Sequence, residues 1–304
     1  MQMSAGTQHE KNRKAAFTVV GLGEILWDML PDGKQLGGAP ANFAYHAHAL
    51  GAESFVASCV GNDPLGREIF ERVKALGLDS SYIATDNAHP TGTVDVEVDA
   101  DGKPRYVIHE NVAWDFIPAG SALLELAARA DAVCFGSLCQ RSKASRETIR
   151  RFLRATRPDC LRVFDINFRQ SYYSAGVVKE SLQSASVLKL NEEELPVIAQ
   201  LLEGVHPAEL LEAFNASLDL IALTKGSEGS VLITSELSSI QPGAEVEVAD
   251  TVGAGDAFTA ALVMGLLRGD DLDKINASAG RLAGYVCSQR GATPEVPSEV
   301  LESL

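Results

Sequence analysis

Between Asp250 and Asp256 the chain reads Asp-Thr-Val-Gly-Ala-Gly-Asp, and an apolar stretch, Ala257-Phe-Thr-Ala-Ala-Leu-Val-Met, follows at once. Gly253 and Gly255 let the backbone approach an anion closely, because no Cβ stands in the way. The free N–H groups and positive dipole end of a helix opening there favour a phosphate. Asp256, at that helix start, is placed to accept a proton from an attacking hydroxyl. The bland reading is a glycine loop followed by an ordinary first-turn acid. The full string is far more specific than a bare Gly-x-Gly. No G-x-x-x-x-G-K-[ST] occurs, which excludes a P-loop.

Other stretches carry candidate chemistry of the same kind. Leu36-Gly37-Gly38-Ala39-Pro40-Ala41-Asn42-Phe43-Ala44 sets two adjacent glycines before a helix start. Asn42 can both donate and accept hydrogen bonds, as sugar hydroxyls require. Asp28 stands beyond the first strand in Gly23-Glu-Ile-Leu-Trp-Asp, where an acid either caps a loop or meets a ligand. Asn191-Glu-Glu-Glu194 is a capping-box-like helix start. Thr224-Lys-Gly226-Ser-Glu-Gly229 lies between two apolar runs and reads as a hairpin loop. Arg169, in Asp165-Ile-Asn-Phe-Arg169, and Arg105 next to Tyr106 suit a salt bridge or an anionic ligand equally. Gly21-Leu-Gly23 lacks a third glycine and so is not a dinucleotide fingerprint. His46 and His48 read as packing or surface residues, with no visible set of metal-ligating partners.

The string D-T-x-G-A-G-D-x-F resembles the C-terminal signature of the ribokinase, or PfkB, family of carbohydrate kinases. The resemblance covers nearly the whole chain after the first residues, with the motifs in family order. It implies that Gly253, Ala254 and Gly255 form an anion hole for the migrating phosphoryl group and that Asp256 deprotonates the acceptor. Gly37, Gly38 and Asn42 match the family's G-G-x-x-A-N sugar motif, and Asp28 its acid for paired sugar hydroxyls. Asn191 and Glu194 match an N-x-x-E motif linked to metal and phosphates. Thr224, Gly226 and Gly229 match the nucleotide loop T-x-G-x-x-G. Gly291, in Arg-Gly291-Ala292, resembles the stretch beside the adenine and a potassium-like ion, for which Asp250 and the backbone of Val252 are the matching ligands. Relatives often carry an Asn eleven positions before that glycine; Gly280 stands there instead, which leaves adenine recognition open. The cofactors implied are ATP with Mg²⁺, and K⁺ as the monovalent ion. Phosphoryl transfer of this kind rests on positioning and charge neutralisation.

The stretch Trp27-Asp-Met-Leu-Pro running into L-G-G-A-P-A-N-F-A is similar to the fructokinase-like branch, so fructose to fructose 6-phosphate is the first expectation. A keto-sugar acid such as 2-keto-3-deoxygluconate is the second, with Arg105 and Arg169 for its carboxylate. A phosphorylated sugar, ribose or a nucleoside follow. A sugar-binding sensor without turnover is the alternative of another class; an altered Asp256 or a broken G-A-G would have favoured it.

The elements that must position these residues follow from the hydrophobic pattern. Phe17-Thr-Val-Val-Gly-Leu reads as a buried strand, Ala39 to Leu50 as a helix closed by Gly51, and Leu65 to Leu76 as one closed by Gly77. Beyond Trp114, apolar strands at 132–136, 161–165, 186–190 and 218–224 alternate with helices, which predicts a mostly parallel sheet covered on both faces. Val231-Leu-Ile and Val246-Glu-Val look like added antiparallel strands, and helices are expected at 253–268 and 272–289. Thr93-Val-Asp-Val-Glu-Val alternates apolar and polar residues, turns at Asp101-Gly102 and returns through Arg105-Tyr-Val-Ile-His. These strands, near 91–109, and residues near 29–36 are expected to form a small β lid, exposed enough to pair two copies as a homodimer. Residues 1–15 read as a flexible tail and 16–304 as one ribokinase-like α/β domain. Ligands in such sheets sit at the carboxyl ends of the strands.

Bulk properties fit this picture. At 46% hydrophobic, 304 residues can bury a sizeable core. A net charge of −15 with no dense Lys/Arg run argues against nucleic acid as a partner. The five cysteines form no C-x-x-C pair, no apolar run reaches the length of a membrane span, and no apolar leader precedes Phe17. A cytoplasmic protein with a small-molecule sugar and ATP as its partners is the expectation.

Overall fold

The computed structural model describes residues 16–31, 33–98, 104–202, 204 and 206–304. The expected tail at 1–15, the Asp101-Gly102 turn and the Arg105 side chain lie outside the described residues. Strand β1 (Thr18–Leu22) is followed by β2 (Leu26–Leu30), β3 (Gly33–Gly37), helix α1 (Ala39–Ala49), β4 (Glu53–Gly61), α2 (Pro64–Ala75) and β5 (Ile83–Asp86). Then come β6 (Thr93–Val98), β7 (Pro104–Ile108), α3 (Ser121–Arg129), β8 (Ala132–Phe135), α4 (Lys143–Ala155), β9 (Leu161–Asp165), α5 (Ala175–Ser184) and β10 (Val187–Asn191). The chain continues through α6 (Glu194–Leu201), α7 (Pro207–Asn215), β11 (Leu220–Thr224), β12 (Ser230–Ile233) and β13 (Ser238–Gln241). It closes with α8 (Ala254–Arg268), α9 (Leu272–Cys287) and α10 (Ser298–Glu302).

Two sheets result. The main one runs β13-β12-β11-β10-β9-β8-β1-β4-β5, parallel from β11 to β5, with β12 and β13 antiparallel at one edge. Its parallel strands are apolar along their length because both faces are covered. Val19 packs with Phe43 of α1, Phe258 of α8 and Leu282 of α9 on one face. Its neighbour Val20 turns to the other, with Leu126 of α3 and Phe152 of α4. Strand order departs from β1 in both directions, so the crevice at the carboxyl ends of β1 and β8 is the switch point where ligands bind in such sheets. Among the described residues no helix is long and apolar enough to cross a membrane.

The second sheet, β3-β2-β6-β7, is the lid. The β6–β7 pair is antiparallel, as the alternation predicted, while β2 pairs with β6 in parallel. The lid begins earlier than expected, so Asp28 lies within β2, opposite Gln35, rather than in a loop after the first strand. The base of β7 is tied to the body. The buried Arg141 guanidinium pairs with Asp115 at 2.9 Å, donates to the His109 carbonyl, and lies 4.1 Å above Trp114. Gln170 and Tyr172 donate to the carbonyls of Tyr106 and Ile108.

One predicted strand is absent. Val246-Glu-Val pairs with no strand; the outer antiparallel strand is β13. The stretch instead lies over α9, where Ala244 and Val246 approach Gly284, and Val248 faces outward. Alternation suggested a half-buried strand, but the segment is exposed along its length, Val246 and Val248 included, and rests on a helix rather than a sheet edge.

Helix α1 starts on Gly38 at φ +110°, takes Pro40 into its first turn, and ends with Gly51 at φ +94° as predicted. It is buried nearly all round from Pro40 to Ala47, wedged between the sheet and α8. It packs so closely on β1 that a Cβ at Gly21 would overlap the Pro40 carbonyl. Gly21→Ala is therefore expected to destabilise the protein by about 1–3 kcal/mol, the usual penalty of overpacking. Urea denaturation measures that loss. Because α1 carries Asn42, acceptor KM should rise in the same variant.

Candidate active site

Two helix N-termini, those of α1 and α8, meet above the carboxyl ends of β1, β8 and β9. Gly253 caps α8 in the left-handed region at φ +79°, and a Cβ there would come within 2.6 Å of Ala292 Cα. No side chain fits. Asp250 holds this loop closed: its Oδ1 accepts the Val252 N–H at 3.0 Å and its Oδ2 the Gly291 N–H at 3.1 Å. Of the first-turn N–H groups of α8, that of Ala254 reaches the Thr251 carbonyl at 3.4 Å, while those of Gly255 and Asp256 have no helical carbonyl one turn back and are available to an anion.

Asp256, in that first turn, is 8% exposed and accepts from Asn42 Nδ2 at 2.8 Å. Thus the two glycine-flanked motifs read from the sequence are joined by one hydrogen bond. Burial, reinforced by the nearby Asp165 carboxylate, pushes Asp256 up to about 7; Asn42, Lys189 and Arg169 pull the other way. Asn42 Oδ1 is buried and has no partner among the described residues, so it is left to accept from a ligand.

Beneath Asp256 lies a polar layer. Lys189 Nζ donates to Asp165 Oδ1 at 3.0 Å, and the Thr259 hydroxyl lies 3.1 Å from Asp165 Oδ2 and 2.9 Å from the Gly255 carbonyl. Asp165 and Lys189 stand side by side in the β9–β10 register. Burial alone would lower the Lys189 pKa, but Asp165, Glu194 and Asp256 outweigh it and raise it, so the ammonium stays charged. A Cβ on Gly255 would sit 3.1 Å from Lys189 Nζ, so the cation adjoins the anion site.

Sequence reasoning passed over Lys189, Asp165 and Thr259. The signal was present: Lys189 interrupts the apolar Val187-Leu-Lys-Leu strand, and a lysine there demands a buried counter-charge.

The remaining candidates line the rim. Asn191 Oδ1 accepts the Glu194 N–H at 2.9 Å while Glu194 Oε2 accepts the Asn191 N–H at 2.8 Å, the predicted capping box. Glu194 Oε1 also accepts the Phe168 N–H, so one carboxyl ties together the loops after β9 and β10; burial raises its pKa. Thr224, Gly226 and Gly229 lie in the β11–β12 turn. Gly226 is at φ +54°, and a Cβ on Gly229 would strike the Gln241 carbonyl. Asp28 looks in from the lid, its pKa raised by burial to about 6 against the opposing Arg169. Gly37 beside it has no room for a Cβ next to that carboxylate. Arg169 is exposed and bonds the carbonyl of its neighbour Phe168. His46 donates from Nε2 to the Ala292 carbonyl and is held neutral by burial, with its pKa near 4, a packing role as expected.

This geometry can hold an anion at the α8 N-terminus and a hydroxyl-bearing molecule against α1, with a carboxylate between them. Asp256→Asn should lower kcat by about 10²–10⁴, the usual worth of a general base. Were Asp256 the base, it would have to be ionised, and kcat/KM should then fall about tenfold per pH unit below pH about 7 and level off above it. Lys189→Met leaves Asp165 buried without its cation. It should cost about 3–5 kcal/mol in denaturant unfolding, and it should move that acid limb to higher pH.

The pfkB family carbohydrate kinase profile matches residues 32–299. A sugar kinase of Pyrococcus horikoshii is 31% identical over 293 residues, covering 90% of this chain and 91% of its own. Its structure in complex with ATP, described as that of an uncharacterized sugar kinase, superposes with a TM-score of 0.78 at 30% identity, over 95% of this chain and 100% of the other. A fructokinase of Klebsiella pneumoniae is 32% identical over 277 residues, covering 86% of this chain and 88% of its own. The fructokinase of Xylella fastidiosa with bound ATP shares the fold, with a TM-score of 0.84 at 22% identity over 94% and 97% of the two chains. The chain belongs to the pfkB family of carbohydrate kinases.

Proposed function

We propose that this kinase phosphorylates a free sugar held between the lid and α1, with D-fructose to fructose 6-phosphate the favoured reaction. The hydrogen bond from Asn42 to Asp256 carries the reading: the residue best suited to grip a sugar hydroxyl is bonded to the group best suited to deprotonate one. Asp28 and the Gly37-Gly38 backbone close on the acceptor from the lid side. Asp256 removes the proton of the reacting hydroxyl as its oxygen bonds to the γ-phosphorus of ATP, and the bond to the β–γ bridging oxygen breaks to release ADP. The N–H groups of the Gly253-Ala254-Gly255 turn, with Lys189 behind Gly255, neutralise the charge on the passing phosphoryl group. The Asn191–Glu194 and Thr224–Gly229 loops hold the nucleotide. Fructose is preferred over other sugars because of the likeness to the Klebsiella fructokinase.

Magnesium enters with ATP and spreads charge over its phosphates. Both Glu194 oxygens already accept backbone N–H groups, so Glu194 suits such an ion through water rather than as a bare ligand. Asp250 and the backbone of Val252 are the residues that would hold a monovalent cation, but both Asp250 oxygens already accept the N–H groups of Val252 and Gly291, so the ion would have to share that carboxylate with them. A keto-sugar acid is the second reading, since Arg169 lies close enough to Asp28 and Asp256 to oppose the rise in both pKa values. Tyr106, 52% exposed on the lid, is what supports a lid-to-lid homodimer.

The test is ADP release from ATP across D-fructose, 2-keto-3-deoxygluconate, ribose, a nucleoside and a hexose phosphate. Fructose should give the highest kcat/KM. Highest turnover of the keto acid would transfer the assignment to it. ADP release that no acceptor accelerates would leave a sugar-binding sensor instead.

A further inference from the structure

The loop that follows β9 touches both halves of the crevice. Its near end is fixed to the body: the Ser137 hydroxyl donates to the Ile166 carbonyl at 2.7 Å, and the Ile166 N–H donates to the Lys189 carbonyl at 3.1 Å. Glu194 Oε1 accepts the Phe168 N–H at 2.9 Å, and the Phe168 ring stacks on Tyr173 at 4.1 Å. Its far end holds the lid. Gln170 Nε2 donates to the Tyr106 carbonyl at 2.6 Å, and the Tyr172 hydroxyl to the Ile108 carbonyl at 3.3 Å. Gln170 does so from the left-handed region, at φ +49°, and Asn167 stands there too, at φ +45°. Asn tolerates that conformation. For Gln it is strained, and such strain persists only where the surroundings impose it. A glycine would take the Gln170 backbone freely but would have nothing to reach the lid with.

These bonds end on the part of the lid that carries Asp28. Ile108 stands opposite Val94 in the β6–β7 pair, and Val94 stands beside Asp28 in the β2–β6 pair. Tyr106, opposite Val96, is two residues further along the same strand. The phosphoryl transfer derived above makes no use of Gln170 or Tyr172. We propose that Gln170 and Tyr172 are positioning residues that set the lid, and with it Asp28, from the loop that Glu194 anchors, and so couple acceptor binding to nucleotide binding. This rests on the kinase reading, in which the Asn191–Glu194 loop holds the nucleotide and the lid closes on the sugar. A nucleotide that draws on Glu194 fixes the Phe168 backbone. The loop then holds β7, and the sheet register carries that placement to Asp28. Linkage makes the effect mutual, so the factor by which nucleotide tightens the acceptor is the factor by which acceptor tightens the nucleotide. Gln170 is exposed, so losing its side chain should leave folding nearly untouched and show in the coupling.

Calorimetric titration of the acceptor, with and without a non-hydrolysable ATP analogue, tests this in the full chain and in Gln170→Ala, Gln170→Glu and Tyr172→Phe. The acceptor is D-fructose, or 2-keto-3-deoxygluconate if the unmodified enzyme turns that over faster. In the unmodified protein the analogue should tighten acceptor binding about fivefold or more, the lower end of ordinary coupling. Gln170→Ala removes the donor, and Gln170→Glu sets a carboxylate against the Tyr106 carbonyl. In both, the coupling factor should fall to within about twofold of one, while the Kd of the analogue alone stays parental. Tyr172→Phe gives up the longer bond and should lower the factor by less, about twofold. A parental factor in both Gln170 variants would overturn the proposal, as would an unmodified protein whose acceptor affinity ignores the analogue. Equal loss of analogue affinity and acceptor affinity, each measured alone, would also overturn it, because general loosening is not coupling. A parental factor in Tyr172→Phe alone removes Tyr172 from the role. Absence of analogue binding by the unmodified protein defeats the kinase reading, whereas coupling indifferent to Gln170 defeats only the role of this loop.

Discussion

A carboxylate that must be buried and still be able to lose its proton sets the terms for the rest of this site. Asp256 is shielded from water, beside a second carboxylate, Asp165, and both share one ammonium, Lys189. Two acids and one cation in a low-dielectric layer cannot all be charged without cost. Lys189 bonds Asp165 directly, while Asn42 holds Asp256 through a weaker neutral bond. The result is a base whose affinity for protons sits close to neutrality, where a proton acceptor works best. The Thr259 hydroxyl, near both Asp165 and the Gly255 carbonyl, ties the start of α8 to this layer.

The second constraint is steric. Backbone N–H groups can serve an anion only if nothing projects between them and it. At Gly253, Ala292 fills the space a side chain would need; at Gly38 it is the Glu24 carbonyl, and at Gly37 the Asp28 carboxylate. The glycines at these positions therefore answer to different neighbours: the first to the C-terminal segment, the other two to the turn and strand that enter the lid. The two sides of the crevice are shaped by different neighbours and are joined by the Asn42–Asp256 bond and by that of His46 to the Ala292 carbonyl.

The alternating strands and helices, the lid hairpin, the caps at Gly51 and Gly77, and the Asp250–Asp256 string were legible in the sequence because each has a local cause. Periodicity fixes the strands, a positive φ calls for glycine, and a helix start after a glycine turn is a site wherever it occurs. The capping box at Asn191 and Glu194 belongs with these. What escaped was set by distant pairing. Lys189 and Asp165 gain meaning only when β10 lies beside β9. Val246-Glu-Val misled for the same reason, since alternation suggests a buried face only where another element comes to cover it, and here both valines stay exposed. Asp28 was found by its spacing from the first strand, but its place within the lid depends on a pairing with Gln35 that no local pattern encodes.

The contact between Gly253 and Ala292 has a temporal side as well. The turn at Gly253 is walled by a residue that follows it only after the whole of α8 and α9, and His46, from the first helix, bonds the same Ala292 carbonyl. Chains are made from the N-terminus at about 5–20 residues per second, and a domain generally folds as a unit once its parts have emerged. A nascent chain that has released Asp256 but not Ala292 holds the base without the wall that shapes the turn beside it. Catalytic competence therefore arrives late in synthesis, and an unfinished chain is poorly formed to act on ATP.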